Sequence, residues 1–364
     1  MAPGFDKELF LREYWQKQPL LIPSIGADLS ALPTPDELAG LALEDDIESR
    51  IISCDKGRWQ LEHGPFSAKD YNRHDQWTLL VQRVDHYLPE VAELKQLVDF
   101  LPGWRFDDVM VSYAVDGGGV GPHFDRYDVF LLQGAGRRRW RLGQLCDAKT
   151  PLQAHRDLSL LADFDVTQEF VLEPGDMLYV PPGVAHWGVA EGECITYSLG
   201  FRAPSMANVL AARIDQALAS LDESLLLEDA GSIAAGQRPG EIAPQQLQNA
   251  RAAFDNALAA LDDGSWFGCL VTDGADDGLE EDIEIHDLAD GDIVCLVSGI
   301  RVAWRECDDY CEVYCSGEAF PAPLACHDLL VALCRGDNIE VTPLSLDGRA
   351  LLQQLSARGA LIAN

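Results

Sequence analysis

The chain has 364 residues, 47% of them hydrophobic, which is enough for two or three packed domains and too many for a disordered or fibrous protein. Its 60 Asp and Glu against 27 Lys and Arg give a formal net charge of −33. Such a surface repels phosphate backbones, so direct nucleic-acid binding is not expected and a basic protein partner is; it also suits a salt-rich cytosol.

In chain order, residues 1–24 (MAPGFDKELFLREYWQKQPLLIPS) have no apolar signal core and read as an amphipathic helix followed by an extended segment. No apolar run approaches the ~18 residues of a membrane span. The expected location is therefore the cytoplasm, with no membrane partner, and the cysteines read as reduced thiols. From Trp77 to Leu101 apolar residues recur at three and four positions, which predicts helices as far as Pro102. From Val109 to about Arg202 the rhythm changes to short runs (VMVSYAV, YDVFLLQ, RRRWRL, QEFVLE, DMLYVP, HWGVA, CITYSLGFRA) punctuated by Gly, Pro and Asp. That rhythm predicts an antiparallel sandwich or barrel.

Past Pro204, two Ala- and Leu-rich segments with helical spacing flank the linker GSIAAGQRPGEIAP. Their apolar stripe, between Met206 and Leu261, predicts burial against a second copy of the chain, hence a homodimer. From Ser265 onward, expected strands (WFGCLVT, IVCLVSGIRVAWRE, CEVYCS) mix with expected helices (LACHDLLVALCR, DGRALLQQLSARG), a pattern for a small winged-helix-like domain. Residues 204–364 hold 28 acidic side chains against 8 arginines and no lysine, which argues against DNA reading there. The expected fold class is α+β: a barrel over 1–203, a helical dimerisation region over 204–264 and the winged-helix-like domain over 265–364.

The chemistry gathers in the barrel region. In GGGVGPHFDRYDVFLLQ, His123 and Asp125 stand two apart at the entry to an apolar strand, so their side chains project to one side and can bind one metal. The segment EPGDMLYVPPGVAHWGV runs strand, Pro-Pro-Gly turn, then His186. In a double-stranded β-helix such a turn returns the chain to the open end of the barrel, where His186 completes a set of three. Two imidazoles and a carboxylate form the facial triad of non-haem Fe(II) oxygenases, although zinc or manganese accepts the same ligands. Along RRRWRL, Arg138, Trp140 and Leu142 share one face, and the apolar pair marks it as the inward one. An inward arginine without an acid partner calls for an anionic small molecule.

HFDRYDVFLLQGAGRRRWRLG, EPGDMLYVPPGVAHWG and YSLGFRAP together resemble the JmjC-type, cupin-like ribosomal oxygenases, and the resemblance runs along essentially the whole chain. It implies hydroxylation of a protein side chain with Fe(II), 2-oxoglutarate and O2, the keto acid being decarboxylated to succinate. In the bacterial branch the substrate is an arginyl residue of large-subunit ribosomal protein sixteen. It further implies that His123, Asp125 and His186 hold the iron and that Arg138 takes the distal carboxylate of 2-oxoglutarate, with Ser112 and Ser198 as hydroxyl contacts. The chain departs from the pattern at Ala114, where a second small hydroxyl residue is expected. For a guanidinium substrate, Asp116 before the metal strand and Ser205 after the last strand are the candidate rim contacts. A histidyl hydroxylase, a cupin that uses no keto acid, and a non-catalytic binding protein are the rival readings.

Other signals are weaker. Cys307, Cys311 and Cys315 recur every fourth residue but do not form paired zinc knuckles. Asp273–Glu284 partly fits a calcium loop, yet Ala275 occupies a ligand position and the stretch reads as a solvated acidic loop. His63, His74, His86, His155, His286 and His327 have no companion ligands at telling spacing.

Overall fold

The structure, a computed structural model, describes residues 5–26, 28–222, 224–260, 264–274 and 288–363. Helix α1 (Lys7–Glu13) starts where Asp6 caps the Leu9 amide, and strand β1 (Leu20–Ile22) follows, as the N-terminal pattern predicts. Helix α2 (Pro35–Leu41) opens on a capping box between Thr34 and Glu37. Next come β2 (Ser49–Asp55), β3 (Arg58–His63), β4 (Gln76–Val81), the single turn α3 (Pro89–Ala92) and β5 (Phe106–Ala114). The barrel region continues with β6 (Asp128–Leu145), β7 (Gln168–Leu172), β8 (Met177–Val180) and β9 (Val184–Phe201).

The helical expectation for Trp77–Leu101 is corrected. Its first part is strand β4, and Pro102 is reached through α3 and short 3-10 turns. TLLV is buried on both sides, Trp77, Leu79 and Val81 in the outer core and Thr78 and Leu80 behind them. A strand covered on both faces loses its alternation and mimics a helical apolar run.

Nine strands form one antiparallel sheet in the order β1-β8-β6-β9-β5-β4-β2-β3, with β7 paired to β6. RRRWRL and the preceding DVFLLQ, separate runs in the sequence, are parts of the continuous 18-residue β6, and HWGVA and CITYSLGF are two halves of the equally long β9. Both strands bend where the register shifts between Gln133 and Arg137. Gly136, at φ +62°, lies so close to Glu193 that a Cβ would fall 1.9 Å from its carbonyl oxygen, so only glycine turns this corner.

One face of the sheet carries Phe130, Leu132, Tyr197 and Leu199, which pack with Phe10 and Ile25 into the main core. The other face holds a smaller apolar set including Leu131, Trp140, Leu142 and Leu178, together with buried polar Ser112, Gln133, Arg138, His186 and Thr196. The N-terminal helix is pinned by Asp128, fully buried between Arg105 (2.9 Å), the Tyr179 hydroxyl (2.6 Å) and Gln16 (3.0 Å). Arg105→Ala leaves that carboxylate uncompensated, and a destabilisation on the order of 3 kcal/mol is expected in denaturant titrations.

Asp85, buried and accepting from the Val109 amide at 2.7 Å, is pushed up by burial, and further by Asp108, from 3.8 to about 7. The folded state thus holds its proton more tightly than the unfolded chain does. This group's contribution is complete below its ordinary value and is lost as pH rises from 3.8 to about 7. Asp85→Asn is expected to flatten that decline when unfolding free energies are compared at the two ends of the range.

Helices α4 (Met206–Ser220) and α5 (Pro244–Ala260) follow as predicted. WFGCLVT, expected as a strand, is helix α6 (Ser265–Thr272); Gly268 sits flat on the Tyr314 ring, a close approach that a helix with a glycine at this point permits. Its seven residues are too short a run for periodicity to separate helix from strand. The remainder is β10 (Ile293–Leu296), β11 (Val302–Glu306), β12 (Tyr310–Cys315), β13 (Glu318–Pro323), α7 (His327–Arg335), β14 (Ile339–Glu340), α8 (Leu346–Ser356) and β15 (Leu361–Ala363). They make two three-stranded sheets sharing one core with α7 and α8. The acidic segment 275–287, with the calcium-loop reading and His286, lies outside the described residues.

Candidate metal centre and anion anchor

His123 and His186 face each other as an isolated antiparallel bridge, exchanging both backbone bonds at 3.1 and 2.8 Å. Their rings stand 4.3 Å apart. The Pro-Pro-Gly turn is hooked to the same place, because the Gly183 amide donates to the Asp125 carbonyl at 2.8 Å. Asp125 Oδ2 lies 4.0 Å from His123 Nε2 and 3.5 Å from His186 Nε2. Potential ligand atoms of all three residues fall within 4.8 Å of one another, the only such group of three among the described residues.

Each imidazole is oriented through its other nitrogen: His123 Nδ1 meets the Gly121 carbonyl at 3.0 Å and His186 Nδ1 the Val184 carbonyl at 2.9 Å. A proton on Nδ1 in both rings leaves Nε2 as the free donor pair, the arrangement that metal-binding histidines adopt. Burial, with His186 beside it, pushes His123 down to about 4, so that it is a neutral ligand at neutral pH. Burial opposes ionisation of Asp125, but His186 and His123 outweigh it and hold the carboxyl at about 2. For His186 burial is outweighed by Asp125, which shifts it upward. His123 and Asp125 keep 24% and 22% side-chain exposure against 3% for His186, so the group is open on one side. Two imidazoles and an ionised carboxylate with one open face fit a divalent iron, whose binding to His186 Nε2 displaces any proton there.

Arg138 points inward as strand parity predicts, 2% exposed, with Trp140 and Leu142 beside it, while Arg137, Arg139 and Arg141 pair with surface glutamates. Its Nη1 donates to the Ser112 hydroxyl at 3.0 Å and to the Thr196 hydroxyl at 3.2 Å. The guanidinium lies 5.2 Å from the Trp140 ring, which in turn lies 5.9 Å from the His186 ring. Among the described residues no carboxylate pairs with it, and its Nε has no partner. A buried cation without a counter-charge is costly, and an acidic group from outside satisfies it. The donor set therefore fits one carboxylate of a dicarboxylic keto acid whose other end reaches the triad.

The other expected contacts divide. Ser112 is in the cluster; Ser198 lies on the same inner face, opposite Met110 and Leu131, and makes no side-chain hydrogen bond with a described residue. Ala114 is opposite Thr78, whose hydroxyl is buried without a partner. Asp116 accepts from the Gly192 amide at 2.7 Å through one carboxylate oxygen. Ser205 is exposed and caps α4 through the Asn208 amide at 3.1 Å. Thr196 and Gln133 were not anticipated, although Thr196 shares the parity of Ser198 two residues on. Cys311 and Cys315 are buried separately from any metal group, and His86, His155 and His327 contact Gly299, the Trp59 carbonyl and Trp304 respectively.

The family model for the JmjC domain matches residues 93–209. "Ribosomal protein uL16 3-hydroxylase" of Escherichia coli (strain K12) is 36% identical over 350 residues, 91% of this chain and 91% of that protein. The chain belongs to the JmjC-type ribosomal oxygenases. More distantly, "Ribosomal oxygenase 2" of Rattus norvegicus is 27% identical over 49% of this chain and 41% of its own length. Among solved structures, the E. coli ribosomal oxygenase YcfD in complex with cobalt and 2-oxoglutarate superposes at a TM-score of 0.78 with 31% identity, covering 99% of each chain. The nine-stranded sheet is thus the cupin-type barrel of the JmjC oxygenases, and the triad and anion anchor lie on its inner face.

Proposed function

We propose that this ribosomal oxygenase is an Fe(II)- and 2-oxoglutarate-dependent hydroxylase of an arginyl residue on large-subunit ribosomal protein sixteen (uL16). The observation that carries the reading is the pairing of an open His123–Asp125–His186 triad with a buried, acid-free Arg138 in one barrel. Iron and the keto acid, when bound, supply the oxidising chemistry that turns O2 and 2-oxoglutarate into succinate, CO2 and a hydroxylated side chain. The chain's own residues bind and orient: the triad holds iron, Arg138 fixes the distal carboxylate, and the apolar Trp140 and Leu142 keep water from the space between. The acidic surface, net −33, speeds encounter with a basic substrate. Asp116, with one carboxylate oxygen unused by Gly192, is proposed to meet the arginyl guanidinium at the rim. Ser205, exposed at the start of α4 where it accepts from the Asn208 amide, is proposed as the second contact at that rim.

The same proposal includes a cytoplasmic homodimer, a division near residues 203 and 264, and a winged-helix-like end domain. Along α4 the exposed side chains Met206, Leu210, Ile214 and Leu218 form a stripe at every fourth position. Sedimentation of the wild type is expected to give a dimer mass and of Leu210→Glu/Leu218→Glu a monomer; a monomeric wild type at micromolar concentration removes the dimer.

The substrate is tested by incubating the protein with uL16, Fe(II), 2-oxoglutarate and air, then mapping the product by mass spectrometry. One added oxygen on a single arginine supports the reading. Oxygen on a histidine instead, or none with succinate still formed, transfers the site to another substrate.

A further inference from the structure

Gln133 is fully buried at the bend of β6, next to the anion anchor. Its Nε2 faces two carbonyl oxygens, Ala135 at 2.7 Å and Gly136 at 3.5 Å, so this end of the amide must be the donor. The opposite end, Oε1, can then only accept, and it accepts from the Thr196 hydroxyl at 3.1 Å. A hydroxyl has a single proton. With it spent on Gln133, Thr196 turns only lone pairs toward Arg138 Nη1. Ser112 is set the same way, its proton directed at the Thr196 carbonyl at 3.4 Å and its lone pair toward the same nitrogen.

We propose that Gln133 is a positioning residue for the anion anchor: acting through Thr196, it locks the hydroxyls as acceptors and so holds Arg138 with its remaining N–H groups turned to the co-substrate. The proposal rests on the 2-oxoglutarate reading above. Both hydrogens of Nη1 are taken by hydroxyl acceptors, which leaves Nη2 as the end of the guanidinium that meets a carboxylate. The other sides of the group are closed. Trp140 lies 5.2 Å from it, and a Cβ on Gly188 would fall 2.8 Å from Nε. Chained hydrogen bonds of fixed polarity in a dry interior hold one arrangement against its alternatives.

The test measures two affinities separately in the full-length protein by calorimetry: Co(II) alone, then 2-oxoglutarate with Co(II) present. Gln133→Glu cannot donate to Ala135 and Gly136 and brings a rival anion one hydroxyl away from Arg138. Its expected result is a fall in 2-oxoglutarate affinity of roughly tenfold or more, the equivalent of at least one buried hydrogen bond, with Co(II) affinity unchanged. Thr196→Val is expected to lose about as much and Thr196→Ser, which restores the hydroxyl, to recover most of it. A residue serving the fold alone would instead move both affinities and the melting temperature together, and that pattern overturns the proposal. So does wild-type 2-oxoglutarate affinity in Gln133→Glu or Thr196→Val. Failure of the wild type itself to bind 2-oxoglutarate removes the reading beneath the proposal, and the proposal with it.

Discussion

Replacing Arg138 with methionine is expected to stabilise the empty protein while removing co-substrate binding. The two effects share a cause. Arg138 is 2% exposed, and among the described residues it pairs with no carboxylate and its Nε has no partner. Burial pushes its proton affinity down, the direction expected where water has been stripped from a cation. Methionine fills much of the same volume beside Trp140 without the desolvation penalty, and buried charges replaced by apolar side chains commonly yield about 1–4 kcal/mol. Thr196 and Ser112 keep their proton acceptors, Gln133 and the Thr196 carbonyl, so the substitution strands neither hydroxyl donor. For the ligand the balance reverses. Its distal carboxylate meets no charge, and truncating one partner of a buried charge pair costs about 2–5 kcal/mol, a fall in affinity of at least ~30-fold. Thermal unfolding without ligand and calorimetry with 2-oxoglutarate read the two signs. A destabilised Arg138→Met protein that still binds 2-oxoglutarate contradicts this account of the anchor.

The second large effect concerns the metal. Fe(II) added anaerobically at about 100 times its dissociation constant is expected to stabilise the fold by about 2.7 kcal/mol, and a chelator to reverse it. His186→Ala removes a ligand whose ring is held by the Val184 carbonyl and whose backbone is paired to His123, so the shift should vanish and hydroxylation with it. Backbone pairing between positions 123 and 186 does not depend on the imidazole, so this variant should still fold, and its melting with and without Fe(II) is compared within the variant. An undiminished metal-induced shift in His186→Ala places the metal elsewhere.

The site was legible in the sequence because its residues sit where strand parity is unambiguous. His123 and Asp125 alternate on one side of an extended segment, and Arg138 shares a face with two apolar neighbours that could only point inward. Thr196 and Gln133 give no such signal: neither has chemistry of its own, and each matters through the residue it faces across β9 and β6. Ser205 carries a second, local role that the sequence also signals, since a serine just before a helix caps it, here through the Asn208 amide. In the fold, β4 reads as helix because burial on both faces erases its alternation, and α6 reads as strand because its apolar run is too short to display a period. The bends of β6 and β9 left only their glycines as a trace, and those resemble turn glycines when the partner strand is unknown.

The most direct measurement of the central claim is succinate formation from 2-oxoglutarate, followed by proton NMR with uL16 and Fe(II), in the wild type beside His186→Ala and Arg138→Met. The account predicts succinate in step with oxygen gained by the substrate for the wild type, and neither product from either variant. Succinate from the variants at the wild-type rate, or none from the wild type with iron and 2-oxoglutarate bound, would contradict it.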